Sequence, residues 1–145
     1  MNPSLTVFVD ASAVVAILTE EADAKQLAAA LDLAKDPITS PIAVWEAAAS
    51  ISRKTGRRAD AELPNVLAFL DLAQVAVISI DMSVTTAAVA AFDRYGRRSG
   101  HPADLNMGDC FAYAFVKVRR TVLLYKGKDF AMTDVQQAQR ISSTR

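Results

Sequence analysis

The 145-residue chain has one cysteine, one histidine, and five each of glycine and proline. A single thiol, Cys110, excludes an intrachain disulfide and a cysteine zinc site. So little glycine and proline, in a chain that is 52% hydrophobic, argues against disorder and low-complexity tracts. No apolar run approaches the ~18 residues that a membrane-spanning helix requires, and the opening MNPSLTVFVD carries no basic leader. We therefore expect a cytoplasmic protein with no membrane partner. Net charge is missing too, because sixteen basic and sixteen acidic side chains cancel. Bulk charge then cannot drive binding to a polyanion. Three local basic clusters remain: Arg53, Lys54, Arg57 and Arg58; then Arg94, Arg97 and Arg98; then Lys117, Arg119, Arg120, Lys126 and Lys128. Each alone reads as a solvated helix end. Together they leave a polyanionic partner open.

What is present is a regular alternation. LTVFV (residues 5–9) is a short β-rich apolar run, as expected of a parallel strand buried on both faces. Asp10 ends it and ASAVVAILTE reads as a helix, followed by another over residues 22–33. DPIT gives a brief extended segment; Ser40 then suits an N-cap, Pro41 a first helical position and Gly56 a stop. Residues 59–72 read as helix, VAVISI (75–80) as strand, 83–98 and 106–120 as helices, and TVLLY as the last strand. Thr133 and Gln136 have the spacing of a capping box for a terminal helix. Strands and helices alternating with such short connections predict one domain over residues 1–145. Its fold class is α/β, a three-layer α/β/α sandwich with a mainly parallel sheet.

Four acids stand out because they interrupt the most apolar stretches: Asp10 in VFVDASAVV, Glu46 in AVWEAAA, Asp109 in MGDCFAYAF and Asp129 in KDFAM. Each has an ordinary explanation alone: an N-cap for Asp10, a capping box of Asn106 with Asp109, an exposed helix residue, a turn former. Carboxylates are nevertheless rarely buried unless paired or bound to metal, since desolvating the charge is costly. All four also fall where ligands bind in an open parallel sheet, beyond the carboxyl ends of the strands or at the start of the helices entered there. An all-carboxylate set without His or Cys suits Mg²⁺, with Mn²⁺ as a substitute. Such an ion lowers the pKa of a water and offsets charge on phosphorus, which points to phosphodiester hydrolysis. Acyl-enzyme chemistry is not indicated. Ser12 has no base nearby and is better read as a hydrogen-bond donor that orients Asp10, and His101 lies in a loop beside Pro102. Trp45 reads as core or dimer packing and Cys110 as a small core residue.

The blocks FVDASAVVAIL, WEAA, HPADLNMGDCFAYAFVK and LLYKGKDFAMTDV, which together span nearly the whole chain, resemble a PIN-domain ribonuclease, specifically a VapC-type toxin of a type II toxin–antitoxin pair. The resemblance implies a PIN-like fold, Mg²⁺- or Mn²⁺-dependent endoribonuclease activity, inhibition of translation, and a homodimer neutralised by a VapB-type antitoxin. Carried over by residue, Asp10 and Asp109 match the family's metal-binding aspartates and Glu46 its third acid. Asp129 is favoured over Asp134 as the fourth, since the family motif carries an acid after the last core strand; Asp134 also suits a helix N-terminus. Four acids repel RNA, so a rim of cations must hold its phosphates. Lys117, Arg119, Arg120, Lys126 and Lys128 are the first candidates for it, Arg53 and Arg57 the second. Two alternatives compete: a non-catalytic PIN-like interaction protein, and a receiver-type Mg²⁺-binding phosphorylation domain. The receiver type needs adjacent acids after the first strand, and FVDAS offers one.

Overall fold

Residues 6–139 are described by the structure, a computed structural model. Val7–Val9 forms β1 and Val122–Leu124 forms β4, and both are buried throughout. They pair in parallel with Val7 opposite Val122 and Val9 opposite Leu124. On the other side of β1 lies β2 (Ile38–Thr39), then β3 (Ala76–Val77) at the exposed edge, giving the parallel order β3-β2-β1-β4. Strands covered on both faces need no polar alternation, which is why VFV and VLL read as unbroken apolar runs.

Among the described residues, six α-helices flank this sheet: α1 (Ala11–Leu18), α2 (Ala24–Leu33), α3 (Pro41–Thr55), α4 (Ala59–Leu72), α5 (Met82–Tyr95) and α6 (Met107–Arg119). Their boundaries follow local chemistry. The Ser40 hydroxyl accepts from the Ala43 N–H at 3.1 Å, Pro41 opens α3, and Gly56 closes it in the left-handed region at φ 75°. Asp81 caps α5. That helix stops at Tyr95, three residues short of the expected Arg98, because Gly96 pairs with Leu105 in a parallel bridge instead of continuing the turn. The bridge holds the end of α5 beside the start of α6. In the core, the Phe8 and Phe115 rings lie 5.2 Å apart, so α6 packs directly over β1.

The Thr133–Gln136 spacing does not produce a capping box. Phe130–Met132 forms a 3₁₀ turn, the Thr133 hydroxyl donates back to the Phe130 carbonyl, and Gln136 gives its carbonyl to the Leu123 N–H at 2.8 Å. The chain there runs beside β4, whose free edge offers unpaired donors and acceptors that an extended segment satisfies. Residues 138–139 are helical; the rest of the expected terminal helix lies outside the described residues.

Candidate metal centre

Each parallel strand delivers its next residue to the same edge of the sheet. Asp10 follows β1 directly, and its N–H extends the ladder to the Leu124 carbonyl at 3.0 Å. Its side chain caps α1 by accepting from the Ser12 N–H at 3.0 Å. The N-cap reading is therefore true, and it is incomplete: Asp10 is only 4% exposed, whereas a cap needs no such burial. Ser12 serves two partners, since its hydroxyl also bonds Asp10 and accepts from the Lys126 N–H at 2.9 Å. It thereby fastens the loop after β4 to the first turn of α1.

Glu46 enters from the second turn of α3 and Asp109 from the first turn of α6. The Asn106–Asp109 capping box is fully formed: the Asn106 side chain accepts from the Asp109 N–H at 2.8 Å and Asp109 accepts from the Asn106 N–H at 3.2 Å. That box fixes one oxygen of Asp109 and leaves the other available. Asp10, Ser12, Glu46 and Asp109 line one cavity of about 370 Å³, together with Arg53, Lys54, Lys126 and Glu21.

The acids act on one another. Burial is the largest cause raising the Asp10 carboxyl above the usual range, and the Asp129 charge adds to it. Glu46 is pushed up to about 7 by burial first and then by Asp10 and Asp109. Asp109 also reaches about 7, again from burial, then from Asp10 and Asp129. Arg53 partly offsets the effect on Glu46, and Arg97 that on Asp109. Among the described residues, none of the four carboxylates is in an ion pair. Asp129 is exposed, at the start of the 3₁₀ turn, and its charge acts on both Asp10 and Asp109. Asp134 faces elsewhere: it accepts from the Tyr113 hydroxyl at 2.7 Å and from Lys117 Nζ at 2.9 Å, pinning the C-terminal segment to α6.

The basic candidates divide. Lys126 lines the cavity and Lys128 lies in the same turn. Lys117, Arg119 and Arg120 lie two to three turns beyond Asp109 at the other end of α6, where Lys117 is taken by Asp134 and Arg119 acts on Asp81. Cys110 is buried; Trp45 is 67% exposed, so the core reading fails for it within this chain. His101 stacks edge-on against Tyr95 at 4.7 Å, and its Nδ1 accepts from the Ala103 N–H.

Three features escaped the sequence reading. Arg97 comes near Asp109 only because the Gly96–Leu105 bridge folds that loop back. Glu21 sits on the cavity wall between two lysines. Gly108 lies under Glu46, where a Cβ would stand 1.9 Å from Glu46 Oε2. Glycine in the first turn of a helix was the available signal, because it costs about 1 kcal/mol relative to alanine there and so asks for a reason.

The donor set is all oxygen, which fits a hard divalent cation. Among the described residues, no three acidic, imidazole or thiol side chains are drawn tightly enough to enclose an ion as they stand. Mg²⁺ does not demand that, since it keeps several waters and takes one or two carboxylates directly.

A parallel α/β domain with carboxylates gathered beyond its strand ends defines a class, and comparison with known proteins narrows it. Residues 7–136 match the PIN domain family. The chain is 38% identical to a VapC ribonuclease of Rhizobium meliloti, covering 88% of this chain and 98% of that one. It is 42% identical to a ribonuclease VapC of Mycolicibacterium smegmatis, with 88% and 95% covered. Mycobacterium tuberculosis VapC20, whose crystal structure is described as that of a sarcin–ricin loop cleaving toxin, superposes with a TM-score of 0.68 at 20% identity, over 90% of this chain and 96% of that one. This chain belongs to the PIN-domain VapC ribonuclease family. PIN-domain ribonucleases in general use divalent metal ions, and VapC toxins in general pair with VapB antitoxins and act on RNA. No helix among the described residues is long and apolar enough to cross a membrane.

Proposed function

We propose that the chain is a Mg²⁺-dependent endoribonuclease acting as one domain over residues 1–145, with Mn²⁺ able to substitute. Cleavage of RNA phosphodiester bonds would inhibit translation in the cytoplasm until a VapB-type antitoxin neutralises the protein. The observation that carries this reading is that Asp10, Glu46 and Asp109 line one cavity, in no ion pair among the described residues and held largely out of water. Uncompensated buried charge is unfavourable for folding. A divalent ion bound there relieves it.

Asp10, Asp109 and Glu46 would hold the ion. When bound, it supplies a water of lowered pKa and positive charge against the phosphate. Glu46 and Asp109 retain protons near neutrality in the free protein and release them to become ligands. The Ser12 hydroxyl fixes the Asp10 carboxylate while holding the Lys126 backbone, so the metal side and the substrate side share one anchor. Asp129 completes the acidic set at the mouth. Lys126 and Arg53, which line the cavity, and Lys128 in the same turn as Lys126 would contact RNA phosphates, and Lys117, Arg119 and Arg120 at the far end of α6 would extend that contact. Exposed apolar side chains on three helices, Trp45 on α3, Val89 and Phe92 on α5, and Met107 on α6, support a homodimer that covers them.

Incubating the purified protein with RNA and Mn²⁺ tests the assignment. Cleavage abolished by EDTA and by Asp10→Asn or Asp109→Asn is expected, together with growth arrest on expression that the same variants relieve. Intact RNA and harmless expression of the wild type would leave the non-catalytic interaction protein as the better reading.

A further inference from the structure

Glu21, in the loop between α1 and α2, lines the same cavity as the metal-site acids, and it is the acid there that cations hold. Lys54 of α3 donates to its Oε2 and Lys126 of the loop after β4 donates to its Oε1. Lys126 also lies 3.4 Å from Asp23 Oδ1. The Glu21 side chain is 18% exposed, against 44% for Lys54 and 38% for Lys126. Two ammonium groups from distant parts of the chain thus converge on one two-oxygen anion at the border of the acidic site.

That arrangement has the shape of an anion site already filled. A phosphodiester presents the same motif as a carboxylate, two anionic oxygens on one atom, and lysine binds phosphate as a point charge that does not require one fixed geometry. We propose that Lys54 and Lys126 form a subsite for a backbone phosphate next to the scissile one, occupied by the Glu21 carboxylate in the free protein and vacated when RNA binds. This rests on the nuclease reading for the identity of the polyanion and adds to it the residues that receive it. Exchange of one anion for another leaves both lysines paired in either state, and the released Glu21 carboxylate turns to water from its place in the loop between α1 and α2.

The purified full chain, in EDTA so that no cleavage occurs, is titrated into a fluorescein-labelled single-stranded RNA decamer over a series of salt concentrations. Glu21→Gln is expected to bind about threefold tighter or better, since a competing anion is removed. Lys54→Gln and Lys126→Gln should bind more weakly and lower the slope of log K against log salt by about 0.7 each. Thermal melts report folding for every variant. If Glu21 merely ties three segments together, Glu21→Gln melts earlier and binds RNA no better, and the subsite is overturned. An unchanged salt slope in both lysine variants overturns it equally. The wild type's cleavage of RNA in Mn²⁺ is read separately: cleavage with no tightening in Glu21→Gln refutes the subsite alone, and tightening with no cleavage refutes the nuclease alone.

Discussion

Replacing Gly108 by alanine separates the fold from the site. A Cβ at that position stands 1.9 Å from Glu46 Oε2 and 2.1 Å from its Cδ, where ordinary contact begins at 3.4 Å. The carboxylate must therefore retreat by about 1.5 Å, many times the ~0.2 Å tolerance of a metal–ligand distance. What moves is the far end of a flexible side chain, so the helix survives. Alanine even favours it by up to about 1 kcal/mol over glycine, partly offsetting the cost of moving Glu46. We expect Gly108→Ala to melt within about 4 °C of the wild type in EDTA. It should bind Mn²⁺ about 10- to 100-fold more weakly by calorimetry, the usual cost of misplacing a group that orients a metal site. Glu46→Gln should lose a comparable factor, and the double variant should lose little more than either single one, because both changes remove the same ligand. If Gly108→Ala binds Mn²⁺ as the wild type does, Glu46 does not need the place that the glycine gives it, and its assignment as a ligand fails.

Metal-free stability should fall as pH rises: carboxyls raised to about 7 in the folded chain favour folding below their unfolded values near 4, and that contribution is lost as pH climbs through 7. Melting in EDTA should drop by about 4 °C between pH 6 and 8, discounted for partial exposure; a flat profile would refute the burial of these acids, and saturating Mn²⁺ should abolish the drop. Mn²⁺ affinity itself should climb over the same window, by up to about tenfold per pH unit for each proton displaced; calorimetry at pH 6, 7 and 8 checks this. Asp129→Asn should reduce RNA cleavage at least tenfold, whereas Asp134→Asn should keep it and lower the melting temperature by loosening the hydrogen bond from Tyr113. Asp10→Asn should abolish cleavage yet raise the metal-free melting temperature, since asparagine caps a helix as well as aspartate does and carries no buried charge.

The parallel core was legible because its strands are covered on both faces, and VFV and VLL show this as unbroken apolar runs. The edge strand β3 is two exposed residues, and nothing in VAVISI marks which two. Asp10 and Asp109 were legible as acids that interrupt apolar sequence, and Glu46 likewise. Their convergence needed topology, since sequence order says only that each follows a strand or opens a helix. Where the basic side chains lie relative to the cavity was least legible. Lys117, Arg119 and Arg120 share a helix with Asp109, but α6 carries them away from the strand ends at 1.5 Å per residue. Lys54 lines the cavity and Arg97 acts on Asp109 from segments that sequence proximity never joins. Gly108 and Glu21 act through close packing and pairing with distant chain, which a linear pattern does not record.

Asp10 shows why a local explanation and a functional one need not compete. As an N-cap it satisfies the Ser12 N–H, and serine or asparagine would do that with no charge to bury. Asp109 likewise fills a capping box that glutamine at the same place would complete. At both positions the cheaper residue for folding is neutral, and the residue present is the one whose second oxygen would ligate the proposed cation. Both carboxyls lie above their ordinary range for the same reason, burial followed by other acids of the set. On the proposed metal-site reading, a chain that uses its capping positions to aim carboxylates into one cavity accepts lower stability without metal in return for a preorganised site. The helix starts serve as the rigid mounts.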